Sequence, residues 1–286
     1  MSASIVRREH FPIVGSTNDV ISGWLAEGTG EVCLAVADQQ TAGRGRDGRT
    51  WLAPPGAALL LSLGFRPTWL APELVWRLAA TASIAMADAA EATAGLPAGA
   101  IRLKWPNDLV MEGSSGAVRK LAGVLGETDG LGGPDPRAII GLGMNTDWAA
   151  ADFPPAIAGS MTSLREASPS RRIDHEALLD AFLGVLEPGL DALRGGRFDA
   201  DAWADRQLTT GRDVELVAAD GNVATVRAAG VDPATGALLV EDRHAPGGPR
   251  QVVVGEIRHV RIPGTGAGAS TISALDAANR PAAAGV

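Results

Sequence analysis

Cysteine is almost absent from this 286-residue chain, which has one, Cys33. An internal disulfide is therefore excluded, and the apolar run 32–37 around Cys33 predicts a buried packing role in a reducing compartment. Lysine is nearly as scarce: Lys104 and Lys120 are the only two, and every other strong base is arginine. Where a chain prefers arginine so strongly, a surviving lysine either marks a place where a compact point charge is needed rather than a broad guanidinium, or remains by chance on a solvated face. No stretch approaches the ~20 apolar residues of a membrane span, and the opening M-S-A-S-I-V-R-R-E-H lacks the apolar core of a signal peptide. A basic surplus is missing too. The formal net charge is −8, which argues against generic nucleic-acid binding while leaving room for one local basic site. These absences describe a cytoplasmic protein. Hydrophobic residues at 46% and charged residues at 20% suit a globular chain, and its length predicts one large domain plus a smaller one.

What is present concentrates at 39–51, Q-Q-T-A-G-R-G-R-D-G-R-T-W. Gly43, Gly45 and Gly48 alternate with Arg44, Arg46 and Arg49. Glycines at this density let a backbone approach a ligand closely, and guanidinium forks suit phosphate and carboxylate oxygens. By itself the pattern is shared by loops that close over anions and by disordered RNA-binding segments.

The flanking sequence predicts order. A short strand over 5–13 leads to Gly15. Ser16-Thr17-Asn18-Asp19 then opens a helix with Ser16 as N-cap and Asp19 as the N3 acid. The three short polar side chains either cap that helix or offer hydrogen bonds to a neutral polar ligand head. Strands are expected at 32–38, 57–65, 101–105, 109–111, 120–127 and 138–144. A long helix has Pro72 in its first turn and stops at Gly95. Residues 146–172 read as a long loop, and a helix capped by Asp174 is kinked or broken by Pro188. A short helix lies near 199–207. From Gly211 short strands alternate with turns at 220–222, 232–236 and 245–249, the spacing of a small barrel of about five strands. Residues 264–286 are rich in Gly, Ala, Ser and Pro and are expected to be disordered. The whole is α+β: a mixed or antiparallel sheet with packed helices over 1–208, and a small β-domain over 209–263. The apolar strands deliver polar residues at their ends, namely Lys104, Asn107, Asp108, Lys120 and Asn145.

In order, S-T-N at 16–18, G-R-G-R-x-G-R at 43–49, K-W-P-N-D at 104–108, K-L-A-G at 120–123 and G-x-G-x-N at 141–145 resemble the biotin protein ligases. The resemblance runs from about Phe11 to Ile262, and it implies that the C-terminal β-domain is an SH3-like barrel. It further implies an ATP-dependent enzyme that makes biotinyl-5′-AMP, with Mg²⁺ accompanying ATP, and then passes biotin to a lysine of a biotin carboxyl carrier protein. On this resemblance Ser16, Thr17, Asn18 and Gln40 meet the ureido head of biotin. Arg44, Gly45 and Arg46 lie on the loop that folds over the ligand, Lys120 faces the biotin carboxylate, and Gly123 is nearby. Trp51 walls the ring and valeryl chain or belongs to the core. Arg46, Arg49, Asn107 and Asn145 serve the nucleotide. Lys120, Arg46, Arg44 and Asp108 are the implied catalytic set, Asp108 orienting Mg²⁺ or the incoming lysine. Some family members carry an N-terminal DNA-binding repressor module. About fifteen residues precede the S-T-N motif here, so no such module and no DNA partner is expected. The chain is expected to act as a monomer or homodimer. The rivals are a lipoate or octanoate ligase with the same acyl-adenylate logic, and a non-enzymatic nucleic-acid binder.

Overall fold

Seven strands form one mixed sheet: β1 (Arg7–Phe11), β2 (Cys33–Ala37), β3 (Ala58–Phe65), β4 (Ile101–Lys104), β5 (Asp108–Glu112), β6 (Val118–Asp129) and β7 (Arg137–Asn145). Their order is β1-β2-β3-β7-β6-β5-β4. β1 and β2 run parallel and every other neighbour is antiparallel. The computed structural model describes residues 5–168, 172–218, 220–241, 248–254 and 257–262. The expected tail over 264–286 and much of the turn at 245–249 lie outside these residues.

The central strands are covered on both faces, so they read as continuous apolar runs rather than as alternations. On one face Leu34, Val36, Leu59, Leu61, Leu63, Ile140 and Leu142 pack against the helices α2 (Trp76–Ala94) and α5 (His175–Arg194). On the other, Cys33, Ala35 and Ile139 meet Ile21, Trp24 and Leu25 of α1 (Thr17–Ala26). Cys33 is fully buried, and burial pushes its thiol up from the ordinary value. α1 approaches closely because β3 has a glycine beneath it. A Cβ on Gly64 would sit 2.6 Å from both Cys33 Sγ and Ile21 Cγ2.

Several local expectations need correction. Ser16 is the N-cap of α1, but its side chain makes no capping hydrogen bond, and Asp19 is engaged by Arg44 instead. Pro72 starts a 3₁₀ turn (Pro72–Leu74), and α2 begins only at Trp76. The segment 146–172 contains short helices, α3 (Pro155–Ala158) and α4 (Leu164–Ala167), among its turns. Pro188 does not break α5, which continues to Arg194. One missing N–H is a local loss, whereas Leu178, Phe182, Leu186, Leu190 and Leu193 are buried on both sides of it. Next to the proline, a Cβ on Gly189 would press 2.7 Å from Thr81 Cγ2, so this glycine lets α5 lie against α2.

After α6 (Ala200–Asp205), five antiparallel strands form a second sheet: β8 (Asp213–Ala218), β9 (Val223–Val231), β10 (Leu238–Glu241), β11 (Arg250–Val252) and β12 (Ile257–Arg261). Their order is β11-β10-β9-β8-β12. This sheet is tied to the first through Gly236, at φ 73°, whose missing side chain leaves room for the Trp76 ring. The Gly236 carbonyl accepts from Trp105 Nε1 at 2.9 Å. Arg212 forks onto Glu112 at 3.0 and 2.8 Å. No helix among the described residues is long and apolar enough to cross a membrane.

Candidate active site

The face of the first sheet that carries α1 is laid out in cross-strand rows. One row runs Lys104, Asp108, Gly123, Gly143 and Leu60 across β4, β5, β6, β7 and β3. The next runs Leu125, Gly141 and Ser62, and the third Glu127, Ile139 and Gly64. Side chains are small along the middle of this surface, so it forms a floor.

Lys120 reaches the same face through a bulge. The β5–β6 register shifts between Leu109, opposite Ala122, and Val110, opposite Lys120, which leaves Leu121 unpaired. Strict alternation would put Lys120 and Gly123 on opposite faces. The extra residue turns Leu121 into the core and brings Lys120 beside Gly123. A Cβ on Gly123 would lie 3.0 Å from Lys120 Nζ. The two lysines of the chain then share one carboxylate. Asp108 Oδ1 is 2.5 Å from Lys120 Nζ and Asp108 Oδ2 is 3.4 Å from Lys104 Nζ. Burial pushes Lys104 down from the ordinary lysine value; Asp108 opposes the shift and Lys120 adds to it. The outcome is a row of fixed charge, with cationic ends about an anionic centre.

At the other end of the floor, Ser16, Thr17 and Asn18 are buried at the start of α1. Gln40 Oε1 accepts from the Thr17 amide at 2.7 Å and from its hydroxyl at 3.1 Å. The Ser62 hydroxyl lies 2.7 Å from Thr17 Oγ1 and 2.5 Å from Asn18 Oδ1. Asn18 occupies the space that a side chain on Gly141 would fill. A buried polar cluster without net charge, made of hydroxyls and amides, suits a ligand head with both donors and acceptors. Ser62 escaped the motif reading, although it is the one hydroxyl in the apolar run 57–65.

Between the two ends lies the Gly/Arg loop. Its backbone folds back on itself: Trp51 N donates to Gly43 O at 2.9 Å and Gly45 N to Arg49 O at 2.6 Å. The tip is a 3₁₀ turn, Arg46–Gly48, with Asp47 at φ 56° and Gly48 at φ 71°. Left-handed backbone is tolerated by aspartate and free for glycine, which explains D-G at this point. The loop carries the Trp51 ring onto the glycine floor. A Cβ on Gly143 would fall 2.6 Å from Trp51 Cε2, and one on Gly123 would fall 3.3 Å from its Cζ3. Lys120 Nζ is 5.4 Å from the ring centroid. Trp51 Nε1 is buried with no hydrogen-bond partner.

The three arginines separate in role. Arg44 forks onto Asp19 at 2.9 and 2.7 Å and approaches Glu127. The hydrogen bonds to Asp19 hold its guanidinium well above the ordinary value. The Arg46 side chain is 12% exposed and donates to the Val254 carbonyl of the second sheet at 3.0 Å. Burial pushes Arg46 down, against the pull of Asp47 and Asp108. Arg49 donates to Arg46 O at 3.1 Å and so braces the turn.

Asn107 and Asn145 differ. Asn107 Nδ2 donates to Val124 O at 2.9 Å, fastening the β4–β5 turn to β6. Asn145 is fully buried. Its Nδ2 donates to Thr162 O at 3.0 Å while its Oδ1 has no partner. Among the described residues there is no group of three or more His, Cys, Asp and Glu side chains that could hold a metal ion.

Residues 11–145 match the model of the biotin/lipoate A/B protein ligase family. The bifunctional ligase/repressor BirA of Escherichia coli is 32% identical over 233 residues, covering 80% of this chain and 68% of that protein. The biotin–[acetyl-CoA-carboxylase] ligase of Mycobacterium tuberculosis is 34% identical over 158 residues, 55% of each chain. This chain thus spans about half to two thirds of the length of these relatives. In fold it is similar to the biotin protein ligase of Aquifex aeolicus in complex with biotin and ATP, with a TM-score of 0.73 at 24% identity over 90% of this chain and 100% of that one. Matched in sequence across most of its length, and in fold across both sheets, the chain belongs to the biotin protein ligase family.

Proposed function

We propose that this chain is an ATP-dependent biotin protein ligase, which forms biotinyl-5′-AMP from biotin and ATP and then transfers biotin to a lysine of a biotin carboxyl carrier protein. The observation that carries the reading is the layout of the sheet face that carries α1. It has a neutral cradle at Ser16, Thr17, Asn18, Gln40 and Ser62, a glycine floor under Trp51, and a charged row at Lys104, Asp108 and Lys120. That is the polarity of a ligand with a neutral hydrogen-bonding head, an apolar middle and a carboxylate end. The relatives named as biotin ligases support the same substrate.

In the first half-reaction the biotin carboxylate attacks the α-phosphorus of ATP and pyrophosphate leaves. Two anions must meet, so the chain's task is to hold them together and offset their repulsion. Lys120 stands at the charged end of this face, and Asp108 keeps its ammonium from swinging away. Arg46 and Arg49 add positive charge from the loop. Asn145 Oδ1, an unpaired buried acceptor, suits an N–H or O–H donor of the nucleotide. Asn107, whose Nδ2 is held by the Val124 carbonyl, offers its Oδ1 to the nucleotide. Mg²⁺ would come with the triphosphate and share its charge. With one carboxylate already between two ammonium groups, the chain suits a metal held mainly by phosphate and water. In the second half-reaction the carrier amine attacks the mixed anhydride, and AMP leaves. Water must be excluded until then, which is the task of the folded loop. The division at about 208/209 into a catalytic domain and an SH3-like domain belongs to this reading, as do a cytoplasmic setting and action without DNA.

The test is incubation of the purified chain with labelled biotin and α-labelled ATP, with and without a biotin carboxyl carrier domain. Biotinyl-AMP should appear alone, and labelled carrier when the domain is added. Adenylation of lipoate or octanoate but not of biotin would overturn the proposal.

A further inference from the structure

Glu127 lies on the third row of the site face, at the cradle end and away from the lysines. Its carboxylate joins two segments that chain distance keeps apart. Oε2 accepts from Asn18 Nδ2 at 3.0 Å, and Oε1 lies 3.3 and 3.4 Å from Arg44 Nη2 and Nε. Arg44 in turn forks onto Asp19, the residue after Asn18. Helix α1, the Gly/Arg loop and strand β6 therefore meet at two carboxylates and one guanidinium.

The chemistry of this junction is asymmetric. An asparagine amide is almost isosteric on flipping, so its partners decide which end carries the oxygen. Ionised glutamate only accepts, so it requires the Asn18 NH₂ on its side; the oxygen is left to the Ser62 hydroxyl at 2.5 Å. Asp19 holds Arg44 but does not touch the Asn18 side chain. Resting on the biotin-ligase reading, we propose that Glu127 is a positioning residue for recognition of the ligand head. It fixes the Asn18 amide in one orientation, and by a separate contact it latches the loop to α1 through Arg44.

The two carboxylates separate these effects. In Glu127→Ala both are lost, whereas in Asp19→Asn only the latch weakens. The full chain is digested with trypsin without ligands, following cleavage after Arg44, Arg46 and Arg49. The KM for biotin is then measured in biotin-dependent ATP–pyrophosphate exchange. Both variants should be cut several-fold faster than wild type. Only Glu127→Ala should raise the KM for biotin, by about tenfold, the scale of a lost hydrogen bond to a charged group, with kcat changed by less than about threefold. Glu127→Gln, which keeps an acceptor for Asn18, should recover much of the KM and serves also if the alanine variant folds poorly. Wild-type cleavage and KM in Glu127→Ala, or equal KM shifts in Glu127→Ala and Asp19→Asn, would overturn the proposal. If wild type itself showed no biotin-dependent exchange, the functional reading alone would fall. Loop cleavage and the Asn18 side-chain amide resonance, expected to move in Glu127→Ala and not in Asp19→Asn, would still decide the positioning role.

Discussion

Lys120 and Lys104 illustrate how one carboxylate can serve two ammonium groups. Asp108 touches both, so the geometry of each lysine depends on the other. A guanidinium at position 120 would keep the charge but spread it over a planar fork, which on the proposed mechanism displaces the attacking carboxylate from line. Lys120→Arg should therefore lose about 100-fold in biotin-dependent pyrophosphate exchange, nearly as much as Lys120→Ala, because misplacement by about 1 Å has that cost. Exchange within a few-fold of wild type in the arginine variant would show that charge alone suffices. His175 makes a different prediction. Its Nε2 lies 2.5 Å from Thr146 Oγ1, and burial pushes its pKa down despite Asp147, Asp38 and Asp174. In the unfolded chain it takes up a proton near pH ~6.5, while the folded form resists. Stability should thus be full above that value and fall as pH drops through the window toward the lowered folded pKa. Thermal unfolding at about pH 7.5 and about pH 5.5 should reveal a smaller acid loss in His175→Gln than in wild type.

At the scale of elements, the site depends on glycines that make room for other side chains. Gly141→Ala would drive a methyl into Asn18, and Gly143→Ala would drive one into Trp51. Each should destabilise the chain by about 1–3 kcal/mol, the usual cost of overpacking. Denaturant unfolding should return much of the Gly141→Ala loss when Asn18→Ala is added, but the KM for biotin should stay high. A Gly141→Ala chain as stable as wild type would mean that Asn18 has another place to go. The strands holding these glycines were legible because their apolar runs are long and bounded by turns. So was the meeting of Lys104 and Asp108, which end β4 and begin β5; Lys120 lies inside β6 and reaches Asp108 by way of the bulge. The bulge at Leu121 was not: K-L-A-G carries no mark of which residue is left unpaired. Nor was the partnership of Glu127 with Asn18, because a contact over 109 residues has no local signature. Pro188 misled for the opposite reason. Its local preference is strong, but the leucines on either side bury the helix regardless.

Across the whole molecule, Arg46 links the Gly/Arg loop to the second sheet. The loop is ordered within itself by its own backbone bonds, so the Arg46 contact to Val254 O docks an already shaped piece. Arg46→Gly should leave adenylation weakened but present, since Arg49 and Lys120 remain. Losing a charge-assisted hydrogen bond of about 1.5–3 kcal/mol would open the loop often. Chasing preformed enzyme-bound biotinyl-AMP without acceptor should then reveal faster escape and labelling of bystander amines. Equal release from wild type and variant would rule out docking as the barrier to escape. The acceptor here is a backbone carbonyl, which any residue at position 254 would supply, so the clasp constrains the path of the chain there but not its sequence. The Val254 side chain is 42% exposed, and on the proposed function it would be open to an arriving carrier protein. A carrier that pulled there would loosen the enclosure at the moment its own lysine was in place. Delivery would then be timed by the recipient, and selectivity for the correct protein would rest on when the reactive anhydride is uncovered as much as on how tightly the two proteins bind.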